Sequence, residues 1–284
     1  MQITIIGLGM IGGSLGQAFK KLDLADTVIG VPRREETIDE ALEVGAIDEG
    51  TLDIAEGVRN ADIVFICTPI NLIILKLEEI ITHLKPGAIV SDVGSTKEII
   101  CKKAEAIMPE GTFFVGGHPM AGKEKTGVKE SDPELFKDQA YILVPTKKGG
   151  KRQINKLEKL LSPLGGKIMV MKSKKHDKVV AGISHLPLAV ATALTNTIAD
   201  IGADQEEMKQ TAASGFRDTT RVASGDPILG KDMFITNQKV VLKMLSAFKK
   251  EISKMQKVVK EGNSENISAE LKKAKEFRDS IYKT

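Results

Sequence analysis

The groups in this sequence that could do chemistry are few: four histidines, two cysteines and one glycine-rich run. Gly7-Leu8-Gly9-Met10-Ile11-Gly12 has the spacing G-x-G-x-x-G, directly after a short β-branched run and at the head of an amphipathic stretch. That context suits a turn that cradles a diphosphate. Gly7 makes the tight turn, Gly9 lets backbone approach the ligand and Gly12 lets the helix pack close to the sheet, with Met10 and Ile11 opening the helix. Free N–H groups and the helix dipole then hold the anion. A glycine-rich structural turn is the bland alternative. A carboxylate about 20 residues beyond the glycines would bind the ribose 2′-hydroxyl of NAD. The second strand ends instead in Gly30-Val31-Pro32-Arg33-Arg34. Two guanidiniums suit a 2′-phosphate, so NADP is expected over NAD, with NAD still possible. Otherwise Arg33 and Arg34 are solvated charges at a helix start, where the dipole disfavours cations. Cys67-Thr68-Pro69 ends a later strand on the same sheet edge and is expected to pack its backbone against the cofactor's ribose. Cys67 itself reads as a small buried residue rather than a nucleophile.

Two histidines stand in uncommon surroundings. His118, in Gly116-Gly117-His118-Pro119-Met120-Ala121-Gly122, is expected just past a strand in a loop of small residues, where its ring could face a nicotinamide. His185, in Ser184-His185-Leu186-Pro187, lies in an apolar helical run and could project into a cleft; a core histidine is the alternative. His83 reads as an ordinary helix C-terminus and His176, among lysines, as a solvated ring. Cys67 and Cys101 have no partners at metal-ligand spacing, so no metal site is expected, and both are expected as reduced thiols in a cytosol.

The elements that must position these groups alternate. Residues 3–6, 27–31, 63–66, 88–91, 112–115 and 141–144 are short apolar runs bounded by Gly, Pro or Asp, as buried parallel strands are. Residues 11–22, 35–44, 72–84 and 96–107 have helical spacing, and 151–161 with 166–170 adds one more helix and strand. After Lys172 the strand signal stops, and 174–200, 204–214, 227–260 and 264–282 all read as helix. The expectation is an α/β chain: a Rossmann-type, doubly wound, mainly parallel sheet (1–172) followed by an all-helical domain (173–284). The 227–260 stretch carries more apolar surface than one short neighbour covers, so a homodimer through the helical domain is expected over a monomeric bundle. The net charge of 41 − 38 = +3 singles out no polyanion, and 4% aromatics with no Trp disfavour base stacking, so nucleic acid is not an expected partner. The N-terminus lacks a basic n-region, and no uninterrupted apolar run of about 18 residues occurs, so neither a signal peptide nor a membrane span is expected.

GLGMIGGSLG from Gly7, DVGSTK from Asp92, GGHPMAGKEKTG from Gly116, SHLP from Ser184 and GFRDTTRVASGDP from Gly215 together resemble the prephenate and arogenate dehydrogenases of tyrosine biosynthesis, in the family's order and over nearly the whole chain. The resemblance implies oxidative decarboxylation of a cyclohexadienol, prephenate or arogenate, with NAD(P)⁺ as hydride acceptor. It implies that His118 accepts the ring-hydroxyl proton and that Ser95 bonds the same hydroxyl or fixes the imidazole; Ser95 could equally cap the helix that follows. It matches Arg221, and more weakly Arg217, to a substrate-carboxylate site and places His185 on the substrate. Glu124, six residues after His118, is expected at the mouth of the site, with a solvated acidic loop residue as an equal alternative. Lys97 either meets the cofactor or is a surface charge. Leu188 stands where many prephenate-using relatives have a further histidine, and Ile228-Leu229-Gly230 follows Asp226-Pro227 where a tryptophan is common. With the two arginines, these departures look more like the NADP-dependent arogenate dehydrogenases of cyanobacterial type.

Two other classes are compatible with the outline. A β-hydroxyacid dehydrogenase would need a lysine in the helix after the sheet, and residues 179–194 contain none. A non-catalytic NADPH-binding protein would have no need for the two histidine segments. The length leaves no room for the mutase or regulatory module of some relatives, so a stand-alone dehydrogenase is expected.

Overall fold

The computed structural model describes residues 1–122, 125–201 and 204–282. The first compact unit, Met1–Asn237, is built on a sheet. Its strands are β1 (Gln2–Ile6), β2 (Thr27–Val31), β3 (Glu49–Gly50), β4 (Ile63–Ile66), β5 (Ile89–Asp92), β6 (Phe113–Pro119), β7 (Ala140–Val144) and β8 (Lys167–Val170). Among the described residues they lie in the order β3-β2-β1-β4-β5-β6-β7-β8, all parallel except the β6–β7 pair. The helices between them are α1 (Met10–Lys21), α2 (Glu35–Glu43), α3 (Ile54–Arg59), α4 (Ile70–Ile80), α5 (Glu98–Ile107) and α6 (Lys151–Leu161).

Alternation along the strands sends side chains to two cores. Ile63 and Phe65 join Ile3, Ile5, Leu15 and Phe19 on one face, while Val64 and Ile66 join Ile6, Ile73 and Leu77 on the other. A sheet buried on both faces by crossover helices is the doubly wound architecture the sequence pattern implies. Short β3 and α3 are not predicted from the pattern. β3 has only two residues, and α3 starts on a polar cap, with Asp53 accepting from the N–H groups of Ala55 and Glu56.

Three further differences bear on function. β6 does not end at residue 115 but runs through the glycine pair to Pro119. Antiparallel pairing of Gly116–Pro119 with Val144–Tyr141 carries it on, so His118 stands in a strand opposite Ile142 rather than in a loop. A Cβ on Gly117 would lie 2.4 Å from the Asp92 carbonyl oxygen, which is why glycine stands there. The helical run after β8 is α7 (Ser173–Val180), a π turn over Ala181–His185 and α8 (Leu186–Asp200), one 28-residue helix overall. The predicted 227–260 helix is broken: α11 (Pro227–Thr236), preceded by α9 (Gln205–Thr211) and α10 (Ser214–Thr220), stops at Asn237, whose amide turns inward to donate to the Asp177 carbonyl at 2.8 Å.

The expected boundary near Lys172 marks where strands give way to helices; the boundary in packing falls after Asn237. The second unit, Gln238–Thr284, is a hairpin of α12 (Gln238–Glu261) and α13 (Ser264–Ile281). Gly262, at φ +65°, makes the turn and Asn263 caps α13. Lys254 and Glu270 pair across it at 2.5 Å, and Leu242, Ile252, Leu271 and Phe277 are exposed on it.

Candidate active site

A cleft of about 630 Å³ opens in the first unit along the C-terminal edge of β1, β4 and β5, where open parallel sheets take ligands. On one side lie Gly9, Met10 and Ile11, then Cys67, Thr68 and Pro69. Gly7, at φ +93°, and Gly12 lie beneath the turn: a Cβ on Gly7 would meet the Cys67 carbonyl group at 2.9 Å, and one on Gly12 the Gly7 carbonyl oxygen at 2.2 Å. Above Gly9 the space is open, nothing lying within 4 Å of a Cβ placed there. No side chain caps α1 and no acid stands in its first turn, so its dipole is left for a ligand. Thr68 adds a buried hydroxyl oxygen without a hydrogen-bond partner. Arg33 and Arg34 are exposed just past β2, Arg34 at the N-cap position of α2, and neither lines the cleft. Burial pushes the Cys67 thiol far up, in keeping with an inert small residue, and the Cys101 thiol up to about 12.

Ser95 and His118 line the same cleft. Ser95 caps nothing: α5 begins only at Glu98, and its first N–H groups, those of Lys97 and Glu98, are taken by Asp177 from α7 at 2.7 and 2.9 Å. His118 is 7% exposed, and its Nδ1 lies 2.7 Å from Nε2 of His176, whose Nδ1 lies 2.7 Å from the Asp177 carboxylate. The solvated His176 expected from its lysine neighbours is thus wrong: the ring is fully buried, because α7 turns Lys174, Lys175 and Lys178 outward and His176, Asp177 and Val180 inward.

Lys97 is neither a surface charge nor a cleft residue. Its ammonium is fully buried, paired with the equally buried Asp92 and donating to the Gly117 carbonyl at 2.7 Å. Asp92 in turn accepts from the N–H groups of Gly94 and Gly117, so this buried pair ties β5, α5 and the strand carrying His118 together. His185 takes the place of the core alternative rather than that of a cleft residue. The π turn adds a residue to the helix and rotates the ring inward, fully buried, so that Ser184, Pro187 and Leu188 line the cleft instead. Its Nδ1 lies 3.4 Å from the Asn237 amide, and its Nε2 is buried without a hydrogen-bond partner. Arg221 lines the cleft. Arg217 does not; it is exposed and paired with Asp218 at 3.2 Å. Glu124 lies outside the described residues.

The rim segment after β6 leans on the glycine helix. A Cβ on Gly13 would meet Val128 and Ser131 at 2.9 Å, and the buried Ser14 hydroxyl accepts from the Asp132 N–H at 2.9 Å.

Three imidazoles are buried together, and burial is the largest cause holding each below its ordinary value: His118 well below it, His185 at about 4, and His176 lowered despite the opposing hydrogen bond to Asp177. A histidine whose folded pKa is depressed contributes stability that is full above its unfolded value near 6.5 and is lost as pH falls towards the folded one. Unfolding in urea at stepped pH is therefore expected to show stability falling as the pH drops below 6.5, with His185 contributing about 1.4 kcal/mol per pH unit down to about pH 4. A flat profile there would mean that the rings charge without cost.

A doubly wound sheet with an open glycine turn and a buried imidazole lining one cleft is the arrangement of a dinucleotide-dependent oxidoreductase. Residues 15–170 match the family model for the nucleotide-binding domain of prephenate dehydrogenase, and 172–273 match that for its dimerization domain. Prephenate dehydrogenase of Bacillus subtilis is 35% identical over 280 residues, covering 98% of this chain and 76% of the relative. Among solved structures, Synechocystis arogenate dehydrogenase is 36% identical with a TM-score of 0.86, over 99% of this chain and 100% of that one. Aquifex aeolicus prephenate dehydrogenase, in complex with hydroxyphenyl propionate and NAD⁺, is 31% identical with a TM-score of 0.92, over 99% and 98%. The chain belongs to the prephenate dehydrogenase family. The activity that goes with membership is the oxidative decarboxylation of a cyclohexadienol in tyrosine biosynthesis.

Proposed function

We propose that this chain is an NADP-preferring dehydrogenase acting on arogenate, with prephenate the poorer substrate, and that His118 is its proton acceptor. The observation that carries the reading is the place of His118, an imidazole kept neutral by burial and held in a strand that lines the same cleft as the open glycine turn. The residues present fit a dinucleotide. Space above Gly9, an uncapped α1 N-terminus and the orphan Thr68 hydroxyl would hold its diphosphate and ribose, with Met10, Ile11, Cys67 and Pro69 around them. Arg33 and Arg34 would hold the 2′-phosphate. When bound, the nicotinamide supplies the hydride acceptor. His118 takes the hydroxyl proton as the ring C–H bond breaks, with Ser95 placed to orient that hydroxyl. The ring carboxylate leaves as carbon dioxide, its bonding pair enters the ring, and the phenolic oxygen takes the proton back. Arg221 holds a substrate carboxylate with its fork. Leu188, apolar and lining the cleft where many prephenate-using relatives carry a histidine, supports arogenate. His185, Lys97 and Arg217 act at most through other residues.

The assembly in this reading is a homodimer. The 28-residue helix Ser173–Asp200 has a mean hydropathy of 1.4 over 18 residues, of which 22% is buried within the chain, a length and apolarity that reach those of a membrane span. It carries the buried His176, Asp177 and His185 and lies in the region matched to a dimerization domain, which supports a second copy rather than lipid as its cover.

NADPH formation measured with arogenate and with prephenate tests the reading: the larger kcat/KM is expected with arogenate, and turnover of neither overturns it. Replacing Arg33 and Arg34 together by Ala is expected to raise KM for NADP⁺ by about 10–100-fold while moving that for NAD⁺ about twofold at most, since charge-assisted hydrogen bonds contribute about 1.5–3 kcal/mol. Equal changes for both cofactors would place the 2′-phosphate elsewhere.

A further inference from the structure

We propose that His176 is a positioning residue: oriented by Asp177, it fixes the tautomer of His118 so that Nε2 carries the lone pair facing the cleft, and it stabilises that ring while it is protonated. The argument is one of donors and acceptors. The Asp177 carboxylate is ringed by N–H groups, with the Lys97 N–H and His176 Nδ1 on Oδ1 and the Glu98 N–H on Oδ2. His176 Nδ1 is therefore the protonated nitrogen. A neutral imidazole has one N–H, so His176 Nε2 is an acceptor, and the group 2.7 Å from it, His118 Nδ1, is the donor. That leaves Nε2 of His118 as the basic atom. The rings meet edge to face with centroids 5.0 Å apart, so the bond also sets the orientation of His118.

Among the described residues, the buried charged and titratable groups nearest His118 are Asp92 at the end of β5, Lys97 just before α5, His176 and Asp177 on α7, and His185 in the π turn, while Lys125, Arg221 and Asp226 line the cleft it faces. Asp92 and Lys97 satisfy each other, so Asp177 is the carboxylate through which an added charge on His118 is answered, by way of His176. The inference rests on His118 being the proton acceptor. The reaction as written returns the borrowed proton to the phenolic oxygen, so none need leave. A chain of groups ending at a buried carboxylate suits a proton that is held and given back, not released.

Nitrogen-15 NMR of histidine-labelled, cofactor-free protein tests the tautomer without turnover. Both His118 and His176 are expected protonated at Nδ1 and bare at Nε2; an Nε2-protonated His118 overturns the proposal. In kinetics, His176→Leu is expected to lower kcat about 10²-fold, to leave cofactor KM within about twofold and to move the acid limb of kcat/KM to lower pH. His176→Gln, whose amide oxygen can accept from His118 Nδ1, is expected to restore most of kcat. If His118→Asn is inactive but both His176 variants match wild type, the relay alone is overturned. If His118→Asn is active, the proton-acceptor reading falls, and the tautomer measurement alone decides the relay.

Discussion

Replacement of His118 by Asn is expected to lower kcat by about 10²–10⁴-fold, the usual contribution of a positioned general base, while the dissociation constant of the cofactor stays within about twofold. The split follows from where the parts sit. The glycine turn follows β1 and Cys67-Thr68-Pro69 follows β4, whereas His118 lies in β6, two strands further along the sheet. Asn occupies the same strand position opposite Ile142 without the basic nitrogen, and its amide can still donate to His176. Because burial holds the wild-type ring neutral well below the usual imidazole range, the acid limb of its pH profile is expected below pH 6.5. Steady-state rates and fluorescence titration with the cofactor measure the two quantities. Near-normal kcat with normal cofactor binding would move proton acceptance to another group, with Ser95 next in place.

Lys97→Met is expected to destabilise the fold by about 3–5 kcal/mol, because it strands the buried carboxylate of Asp92 without its cation. The same change frees the Gly117 carbonyl, one residue from His118, so activity should fall with stability. Pairing it with Asp92→Asn removes the uncompensated charge and is expected to recover part of the loss. Urea unfolding of the three variants gives the comparison. A loss below about 1 kcal/mol for Lys97→Met would mean that Asp92 takes up a proton in its place.

Much of this arrangement is legible in the sequence, for identifiable reasons. A glycine fingerprint after a β-branched run has one good structural solution, and the strand–helix alternation up to β8 leaves little freedom about the sheet. The site is only partly legible. His176 sits among lysines, and charge run alone reads as a solvated face; the signal that finds it is the inward step from His176 to Val180, four residues apart on one helix face. His118 reads as a loop residue because Gly116, Gly117 and Pro119 break strands by propensity, yet β7 supplies an antiparallel partner for all of them. Lys97 gives no local sign of burial, since its partner Asp92 stands five residues earlier across a turn. His185 turns inward because of a π turn, which has no periodicity signature of its own. His118 is missed because of a strand partner distant in sequence, Lys97 because of a partner across a turn, and His185 because of a local change in helix pitch.

The bond from the Asp132 N–H to the Ser14 hydroxyl bears on engineering. Exchanging cofactor preference by transplanting a foreign glycine loop and helix start would replace Gly13 and Ser14 along with the fingerprint, and so remove the seat on which the cleft rim rests. Such a graft would bring its nucleotide preference with it and loosen the grip on the acid being oxidised. Changes confined to residues 33 and 34, which leave Gly13 and Ser14 in place, are the more conservative route.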